Sequence, residues 1–276
     1  MRGIVSAWRA SGHLRLGLIL LLAVLLCALL APLLQPYDPY ALGDDLKARP
    51  GQTHLLGTDA LGGDVFSMVL EGSRTSLVVG FTAAFLSGIL GTLIGGAAGY
   101  LGGRADRIVS EIINMFLMLP TFFLVLITVA LFGSSMVNIM LIIGLTSWPG
   151  NARLMRVQAM ALKERTFVKS AKALGESGPS LFFRYILPNG IFPVVANTAM
   201  GIAGAILTEA SLSFLGLGDP NIISWGQMVY LGRSYMSSAW WVATFPGVAI
   251  LITVVAFYLV CDGLNAAFHP KNQGRR

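Results

Sequence analysis

The stretch Phe167-Val-Lys-Ser-Ala-Lys-Ala-Leu-Gly175, with Arg184-Tyr-Ile-Leu-Pro-Asn189 shortly after it, is a polar segment inside a very hydrophobic chain. Thr166 is expected to cap a short helix that begins here. Gly175 is expected to end that helix, because glycine tolerates the left-handed backbone that follows a last turn. Pro188 is expected at the entry to the next apolar segment, where its missing N–H costs little.

The predicted helix has two faces at the helical period. An apolar face is formed by Phe167, Ala171 and Leu174, and a basic face by Lys169 and Lys172. Ser170 and Ala171 are small, so a second protein surface could approach the helix closely. The charges alone also fit a solvated amphipathic loop on anionic headgroups, so both interpretations stay open at this point.

The chain outside this segment has the composition of a membrane protein. Of its 276 residues, 55% are hydrophobic and only 12% are charged, about half the charged fraction of a soluble domain. Several apolar stretches approach or exceed the roughly 20 residues that cross a bilayer as a helix. We therefore predict an all-α integral membrane protein with six transmembrane helices, at 16–34, 77–101, 108–132, 134–149, 191–215 and 241–265.

The positive charges predict the orientation of these spans. With the N-terminus in the cytoplasm, the 19 Lys and Arg residues all fall in inside segments except Lys47, Arg49, Arg74 and Arg233. Both termini are then cytoplasmic, and the net charge of +6 is explained without nucleic acid. The first span is expected to be a retained anchor, because it is long for a signal peptide and no A-x-A-like site follows Pro32.

The predicted organisation is one membrane domain with short flanking segments. Its parts are a cytoplasmic N-terminus 1–15, the first span 16–34, an extracytoplasmic loop 35–76, a core transmembrane domain 77–265 that contains a cytoplasmic loop 150–190, and a cytoplasmic C-terminus 266–276. In the second span, Gly91, Gly95 and Gly99 share one face and permit close helix approach. That face could pack within the chain or against another subunit.

The polar segment resembles the coupling loop of ABC importer permeases, whose pattern is E-A-A-x3-G-x9-I-x-L-P. In that family the helix sits in a groove of the ATPase subunit and transmits its motion. The resemblance implies ATPase-coupling roles for Phe167, Lys169, Ser170, Ala171, Gly175, Leu187 and Pro188. Lys169 replaces the usual acidic residue, so the partner is expected to carry an acid there, and Tyr185 replaces the usual Ile.

Further stretches resemble the second-subunit type of the dipeptide/oligopeptide/nickel permease family. His54–Asp64 is similar to its H-x-L-G-T-D-x-x-G-R-D signature, with Gly63 in place of Arg. Glu209–Gly218 and Ser224–Gly226 are similar to its E-x-x-L-S-F-L-G-L-G and S-W-G patterns, and Asp262–Leu264 to the end of its last span.

This resemblance implies a type I ABC importer permease fold in a prokaryotic inner membrane. The implied partners are a sister permease, two P-loop ATPase subunits that bind ATP and Mg, an extracytoplasmic solute-binding protein and the lipid bilayer. The family usually carries M-R-x-x-D after G-G-x-x-D. This chain has Ser110, Glu111 and Asn114 in those places, so an intramembrane Arg–Asp arrangement is expected to be absent.

The sequence contains no recognisable catalytic motif. It has no Gly-Lys pair and therefore no P-loop, so ATP hydrolysis must belong to another subunit. His13, His54 and His269 lack metal-ligand spacing, and Ser211 and Ser213 are expected to be helix-packing hydroxyls. We expect a non-catalytic subunit without its own cofactor or metal.

A few polar and aromatic residues are candidates for the transport pathway or its mouth. Glu209 lies inside the fifth predicted span, where a carboxylate is costly and should face a protein or aqueous interior. It could contact the passing solute at a gate, or make a structural contact with a neighbouring helix. Asn114 and Asn197 are weaker pathway candidates. Trp225, Trp240 and Trp241 are expected at the membrane interface or on the surface that meets a binding protein.

The chain is therefore expected to be a permease subunit of an ATP-driven importer. Di- or oligopeptides are the first candidate cargo. A nickel or other metal chelate, glutathione or an opine-like solute is the alternative cargo. A free-standing secondary transporter would be expected to show inverted repeats and several membrane acids, and neither is evident. An intramembrane enzyme lacks a credible catalytic pair.

Overall fold

A computed structural model describes residues 12–268 of this protein, with side chains for residues 12–263. Most of the predicted cytoplasmic termini lies outside the described residues, including Arg2, Arg9, His269, Lys271, Arg275 and Arg276. The described part is built from helices joined by loops. They are α1 Gly12–Leu34, α2 Val65–Leu101, α3 Gly103–Met118, α4 Thr121–Phe132, α5 Met136–Lys163, α6 Thr166–Ala173, α7 Gly178–Ser180, a π-helix Leu181–Ile186, α8 Leu187–Gly190, α9 Phe192–Phe214, α10 Trp225–Gly232, a 3₁₀ turn Arg233–Tyr235 and α11 Trp241–Phe268.

Three predicted spans match single helices closely. They are α1, α9 and α11, which correspond to the predictions 16–34, 191–215 and 241–265. The second prediction starts too late, because α2 already begins at Val65. Asp64 explains the earlier start, since its carboxylate accepts hydrogen bonds from the backbone N–H and hydroxyl of Ser67 (2.8 and 2.7 Å) and so caps the first turn.

The third and fourth predicted spans differ from single straight crossings. The stretch 108–132 is divided into α3 and α4, which are bent by 85° at a short break. Leu119-Pro120 lies at this break, and the restricted backbone before a proline disfavours continuation of the helix. The stretch 134–149 is only the first part of α5, which continues through Pro149 to Lys163.

Within the described residues, four helices are long and apolar enough to cross a membrane, and five if the bent pair is counted as one span. The four are α1, α2, α9 and the apolar part of α11. α5 is not among them, because its second half carries Asn151, Arg153 and Arg156. The number six and the orientation of the termini therefore remain predictions.

The chain forms two compact units. The first contains the residues up to Phe81, Phe132–Ile139 and the residues from Ile202 onward. In it, α1 and α11 pack at close range, since a Cβ on Gly17 would lie 2.7 Å from the Leu259 side chain and one on Gly263 would lie 2.6 Å from Leu14. The second unit contains Thr82–Leu131 and Met140–Gly201.

The glycine face of α2 organises the second unit. A Cβ on Gly91, Gly95 or Gly99 would collide with α5, and at Gly95 the obstacle is the backbone of Ala152. This face therefore packs within the chain. Backbone contact of this kind is how small residues bring membrane helices together.

Candidate functional site

The helix α6 ends as the sequence predicts. Gly175 has a φ of 92°. Its N–H donates to the carbonyl of Lys172 (3.1 Å), and the Glu176 N–H donates to that of Ala171 (3.2 Å). These two bonds form a Schellman motif. The predicted start is wrong by one residue, because Thr166 is the first helical residue and Arg165 occupies the N-cap without a side-chain bond.

The packed face of α6 differs from the predicted apolar face. Val168 and Ala171 are the buried residues, with 3% and 5% of their surfaces exposed, and they join a cluster with Leu181, Phe182 and Ile186. This rotation follows from the π-helix, whose buried side chains cover the Val168 side of α6. Val168 and Ala171 thus pack α6 against the rest of the second unit.

The remaining apolar side chains of α6 face outward. Phe167 is 43% exposed and Leu174 is 87% exposed. With Ser170 and Tyr185 they border an open groove of about 720 Å³ on one side of the helix. Large exposed apolar side chains on a short, well-anchored helix are typical of a surface that meets another protein.

The later residues of the predicted coupling segment lie just after the π-helix. Leu187 and Pro188 begin the short helix α8, where proline at the first turn is well tolerated. Leu187 packs at the edge of the cluster that holds α6, whereas Pro188 is exposed. The predicted coupling residues therefore form one connected region of the second unit.

Lys169 has a partner within the chain. Its ammonium lies 2.8 Å from the Glu164 carboxylate, and both side chains are more than half exposed. Lys169 is therefore paired within the chain, whereas the family resemblance predicts an acid on the partner protein. An exposed pair of this kind contributes little to stability, but it orients the Lys169 side chain.

Glu209 is the most deeply buried charged side chain among the described residues, with 0% of its surface exposed. Its Oε1 accepts hydrogen bonds from the hydroxyls of Ser213 (2.8 Å) and Ser224 (2.7 Å). Its Oε2 makes no hydrogen bond with any described residue. The carboxylate thus faces the interior of the chain, and its two hydrogen bonds are contacts of the structural kind.

The S-W-G pattern is explained by its contacts with α9. Ser224 donates to Glu209 and accepts from the Gln227 N–H (3.1 Å), so one hydroxyl caps α10 and fixes it to the carboxylate. A Cβ on Gly226 would lie 2.6 Å from the Ala210 Cα, so α10 approaches α9 more closely than any larger residue permits. Trp225 donates its indole N–H to the Val69 carbonyl (3.0 Å).

Two of the three predicted interfacial tryptophans are core residues instead. Trp225 and Trp241 are each 2% exposed, whereas Trp240 is 49% exposed. Trp241 donates its indole N–H to the Thr58 carbonyl (3.0 Å) and therefore holds the loop that follows α1. The bulk of both indoles is better accommodated in the core because each N–H finds a carbonyl there.

The His54–Asp64 signature is also a structural element. His54 Nδ1 lies 3.0 Å from Asp64 Oδ1, and an isolated bridge joins Thr58 to Asp64. Gly57 has a φ of 79°, and a Cβ there would lie 2.6 Å from Trp241 Nε1. Gly63, in place of the family's arginine, donates its N–H to Asp59 (2.8 Å). These contacts fold the loop onto the start of α2.

Of the two asparagine pathway candidates, only Asn197 belongs to a polar network among the residues that the structure describes. Asn197 donates to Asn151 Oδ1 (2.9 Å), and Asn151 donates to the Ser87 hydroxyl (3.0 Å). Asn151 is 3% exposed and joins α2, α5 and α9. Asn151 carries no signal in the sequence, because it lies in the predicted loop 150–190 and its partners are on other helices. Asn114 is exposed on α3.

An Arg–Asp pair of another kind is present, formed by residues outside the predicted spans. Asp106, in the first turn of α3, accepts two hydrogen bonds from the guanidinium of Arg156 on α5 (2.5 and 2.7 Å). The arginine comes from a different helix than in the family pattern, so spacing along α3 gave no signal for it. A bidentate pair of this geometry fixes both distance and orientation between two helices.

Among residues 12–268, no group of three or more His, Cys, Asp or Glu side chains is arranged to hold a metal ion. Ser213 bonds to Glu209, and Ser211 donates to the Leu207 carbonyl of its own helix (2.7 Å), as expected for packing hydroxyls.

The family model described as "Binding-protein-dependent transport system inner membrane component" matches residues 91–274 of the chain. The chain belongs to this family. It is therefore an inner membrane component and a permease subunit of a transport system that depends on a binding protein.

Several curated permeases are similar along nearly the whole chain. The probable D,D-dipeptide transport system permease of Escherichia coli is 38% identical over 94% of this chain and 87% of its own length. The glutathione transport system permease of Pectobacterium atrosepticum is 41% identical, covering 92% and 85%. The di/tripeptide transport system permease of Pseudomonas aeruginosa is 36% identical, covering 92% and 87%.

The fold has a solved counterpart. A chain of the MetNI methionine ABC transporter, in an inward-facing conformation, superimposes with a TM-score of 0.52 at 19% identity, covering 73% of this permease and 95% of that chain. This similarity shows that the permease shares the fold of that chain.

Proposed function

We propose that this permease imports di- or oligopeptides as part of an ATP-driven complex. A sister permease would complete the translocation pathway, and two P-loop ATPase subunits would bind ATP and Mg on the cytoplasmic side. An extracytoplasmic solute-binding protein would deliver the cargo. The peptide transport systems of the E. coli and P. aeruginosa relatives support this choice of cargo.

The observation that carries the proposal is the geometry of α6. The helix is held by Val168 and Ala171, while Phe167 and Leu174 remain exposed beside an open groove. A push on the exposed side would be transmitted to the second unit because the packed side is part of its core. We propose that the segment 166–188 couples ATPase motion to the permease in this way.

The proposed membrane arrangement has six crossings and both termini in the cytoplasm. The bent pair α3–α4 forms the third crossing and the first half of α5 forms the fourth. Along the chain, 1–15 lies inside, 16–34 is the first span, 35–76 lies outside and 77–265 is the core domain. The exclusion of most Lys and Arg residues from the proposed outside segments supports it. In this arrangement α6 lies on the cytoplasmic side.

ATP binding would drive the cycle by preferring one of two conformations of the complex. Closure of the ATPase subunits would move α6, and the pathway would change from inward-facing to outward-facing. The permease itself would perform no chemistry. Glu209 would act in this cycle by holding α10 against α9, with Asn197 and Asn114 as candidates for contact with the cargo.

Glutathione is a second candidate cargo, because the P. atrosepticum glutathione permease is 41% identical to this chain. A metal chelate or opine-like solute has no comparable support. The cargo can be identified by titrating peptides and glutathione against the solute-binding protein that is encoded with this permease. Saturable binding of one class, matched by ATP-dependent uptake, would assign it.

The complex itself is tested by purification of the tagged permease in mild detergent. We expect a second permease and P-loop ATPase subunits to copurify. Replacement of the P-loop lysine in those ATPases should abolish uptake. A chain that purifies alone, with uptake that survives the loss of every ATPase, would contradict the proposal and would favour a secondary transporter.

A further inference from the structure

A second groove runs along the opposite side of α6 from Phe167 and Leu174. It has a volume of about 340 Å³ and lies between the end of α2, the end of α5, α6 and the start of the π-helix. Three lysines line it, Lys163, Lys169 and Lys172, with Glu164 as its one acidic residue. We call it the lysine cleft.

The lysine cleft has an excess of positive charge. Lys169 is paired with Glu164, and the Lys163 ammonium donates to the Gly99 carbonyl at the end of α2 (3.1 Å). Lys172 is exposed and forms no ion pair within 4.0 Å with a described side chain. The hydrogen bond and charge of Lys169, together with the charges of Lys163 and Lys172, hold the pKa of the Glu164 carboxyl below its ordinary value. Three ammonium groups and one carboxylate therefore line the cleft.

The floor of the lysine cleft is apolar. Val168 and Leu181 are buried at 3% and 2% exposure, and Tyr100 and Leu101 complete it from α2. Leu101 is 69% exposed and is the last residue of a helix that is apolar enough to cross a membrane. The cleft thus lies where an apolar span ends, with a hydrophobic floor and a basic rim.

We propose that the lysine cleft binds the phosphate group of an anionic phospholipid. The ammonium groups match a phosphate in charge and hydrogen-bonding capacity, and the exposed Leu101 beside them matches the apolar part of a lipid. Glu164 occupies the anion position when no lipid is bound, so the lipid phosphate displaces it from Lys169. A bound lipid contacts both α6 and the end of α2. It therefore restricts the motion of α6, whose exposed side carries Phe167 and Leu174.

The test compares lipid retention by the purified complex after exchange into micelles that contain equal amounts of phosphatidylglycerol and phosphatidylcholine with the same acyl chains. Retained lipid is counted by mass spectrometry. The wild type is expected to retain phosphatidylglycerol preferentially. Lys169→Gln and Lys172→Gln should each reduce the preference about fivefold, the usual contribution of one lysine at an anionic surface. Glu164→Gln should increase it, because a competing carboxylate is removed.

The matched control removes the same number of charges from the neighbouring predicted cytoplasmic turn. Arg104→Gln/Arg107→Gln alters two exposed arginines at the start of α3 that do not line the cleft. This control should retain phosphatidylglycerol as the wild type does. Equal loss in the control, or full retention by Lys169→Gln/Lys172→Gln, would overturn the proposal.

A second arm separates a lipid headgroup from free phosphate. Inorganic phosphate is added to the wild-type complex in phosphatidylcholine nanodiscs, and its binding is followed by ³¹P line broadening. A parallel sample in nanodiscs that also contain phosphatidylglycerol shows whether phosphate displaces that lipid. Broadening that is lost in Lys169→Gln/Lys172→Gln, with displacement of phosphatidylglycerol in the parallel sample, would assign a site for free phosphate and overturn the lipid assignment. Retention of phosphatidylglycerol in excess phosphate would assign the lipid. Neither readout depends on transport, so each stands apart from the proposed peptide import.

Discussion

At the scale of single residues, Glu209 is a costly buried carboxylate for which we propose a structural role. A carboxylate inside a membrane helix is usually read as part of a transport pathway. Here its Oε1 accepts hydrogen bonds from the hydroxyls of Ser213 and Ser224, so the side chain links α9 to the start of α10. These hydrogen bonds hold α10 against α9, and Gly226 allows the two helices to approach so closely because it has no side chain.

Replacement of Glu209 by alanine should destabilise the permease by about 1–3 kcal/mol, because two buried hydroxyls lose their acceptor. Glu209→Gln keeps an oxygen acceptor and should lie closer to the wild type. Thermal unfolding in detergent, read by circular dichroism, measures the difference. Ser211→Ala is the matched control on the same helix, since that hydroxyl bonds only its own helix backbone.

Uptake distinguishes the structural role of Glu209 from a pathway role. If Glu209→Gln transports normally at normal expression, the carboxylate is not needed by the passing solute. Loss of uptake by Glu209→Gln with unchanged stability would contradict the structural role and restore Glu209 as a gate residue.

At the scale of helices, α5 is held by two neighbours. Gly91, Gly95 and Gly99 allow its backbone to contact α2, and the Asp106–Arg156 pair joins its second half to α3. Together they position the turn from which α6 projects. Changes in either contact should therefore disturb the coupling segment without touching it.

Gly95→Ala should destabilise the permease by about 1–3 kcal/mol, because the added methyl group collides with the Ala152 backbone. Gly204→Ala is the control, since nothing lies within 4 Å of a Cβ at that glycine. The control should unfold at or above the wild-type temperature. Equal unfolding temperatures for the two variants would contradict the close contact of α2 with α5.

Asp106→Ala should cost about 1.5–3 kcal/mol, the range for hydrogen bonds to charged groups, because it leaves the partly buried Arg156 without its partner. Combining it with Arg156→Leu should recover part of the loss, since the unpaired charge is then removed. The two single variants and the double variant form a thermodynamic cycle in which additive losses would show that the pair does not interact.

The sequence predicts the helices of this protein better than it predicts their packed faces. Apolar length alone locates α1, α9 and α11, and Gly175 marks the end of α6, because these signals are local. The rotation of α6 onto Val168 depends on the π-helix, and the burial of Trp225 and Trp241 depends on distant carbonyls. Asn151 and Arg156 could not be recognised for the same reason, since their partners lie on other helices.

At the scale of the whole molecule, membership of the inner membrane permease family and the exposed surface of α6 lead to one account. The chain is a transport subunit whose proposed energy source lies in its partners. Phe167 and Leu174 face outward from a helix whose other side is packed in the core. Replacing their side chains by alanine should therefore leave the fold intact but uncouple the permease from ATP hydrolysis by an ATPase subunit. Exposed substitutions of this kind usually change stability by less than about 0.5 kcal/mol.

The most direct measurement reconstitutes the complete complex with its binding protein and follows ATP hydrolysis and solute uptake together for Phe167→Ala/Leu174→Ala. Leu29→Ala/Leu33→Ala is the control, because these leucines are similarly exposed on α1, at 75% and 82%. We expect the α6 variant to assemble and unfold as the wild type does but to lose uptake and stimulated ATP hydrolysis, while the control keeps both. Wild-type uptake driven by ATP in the α6 variant would contradict coupling through this helix.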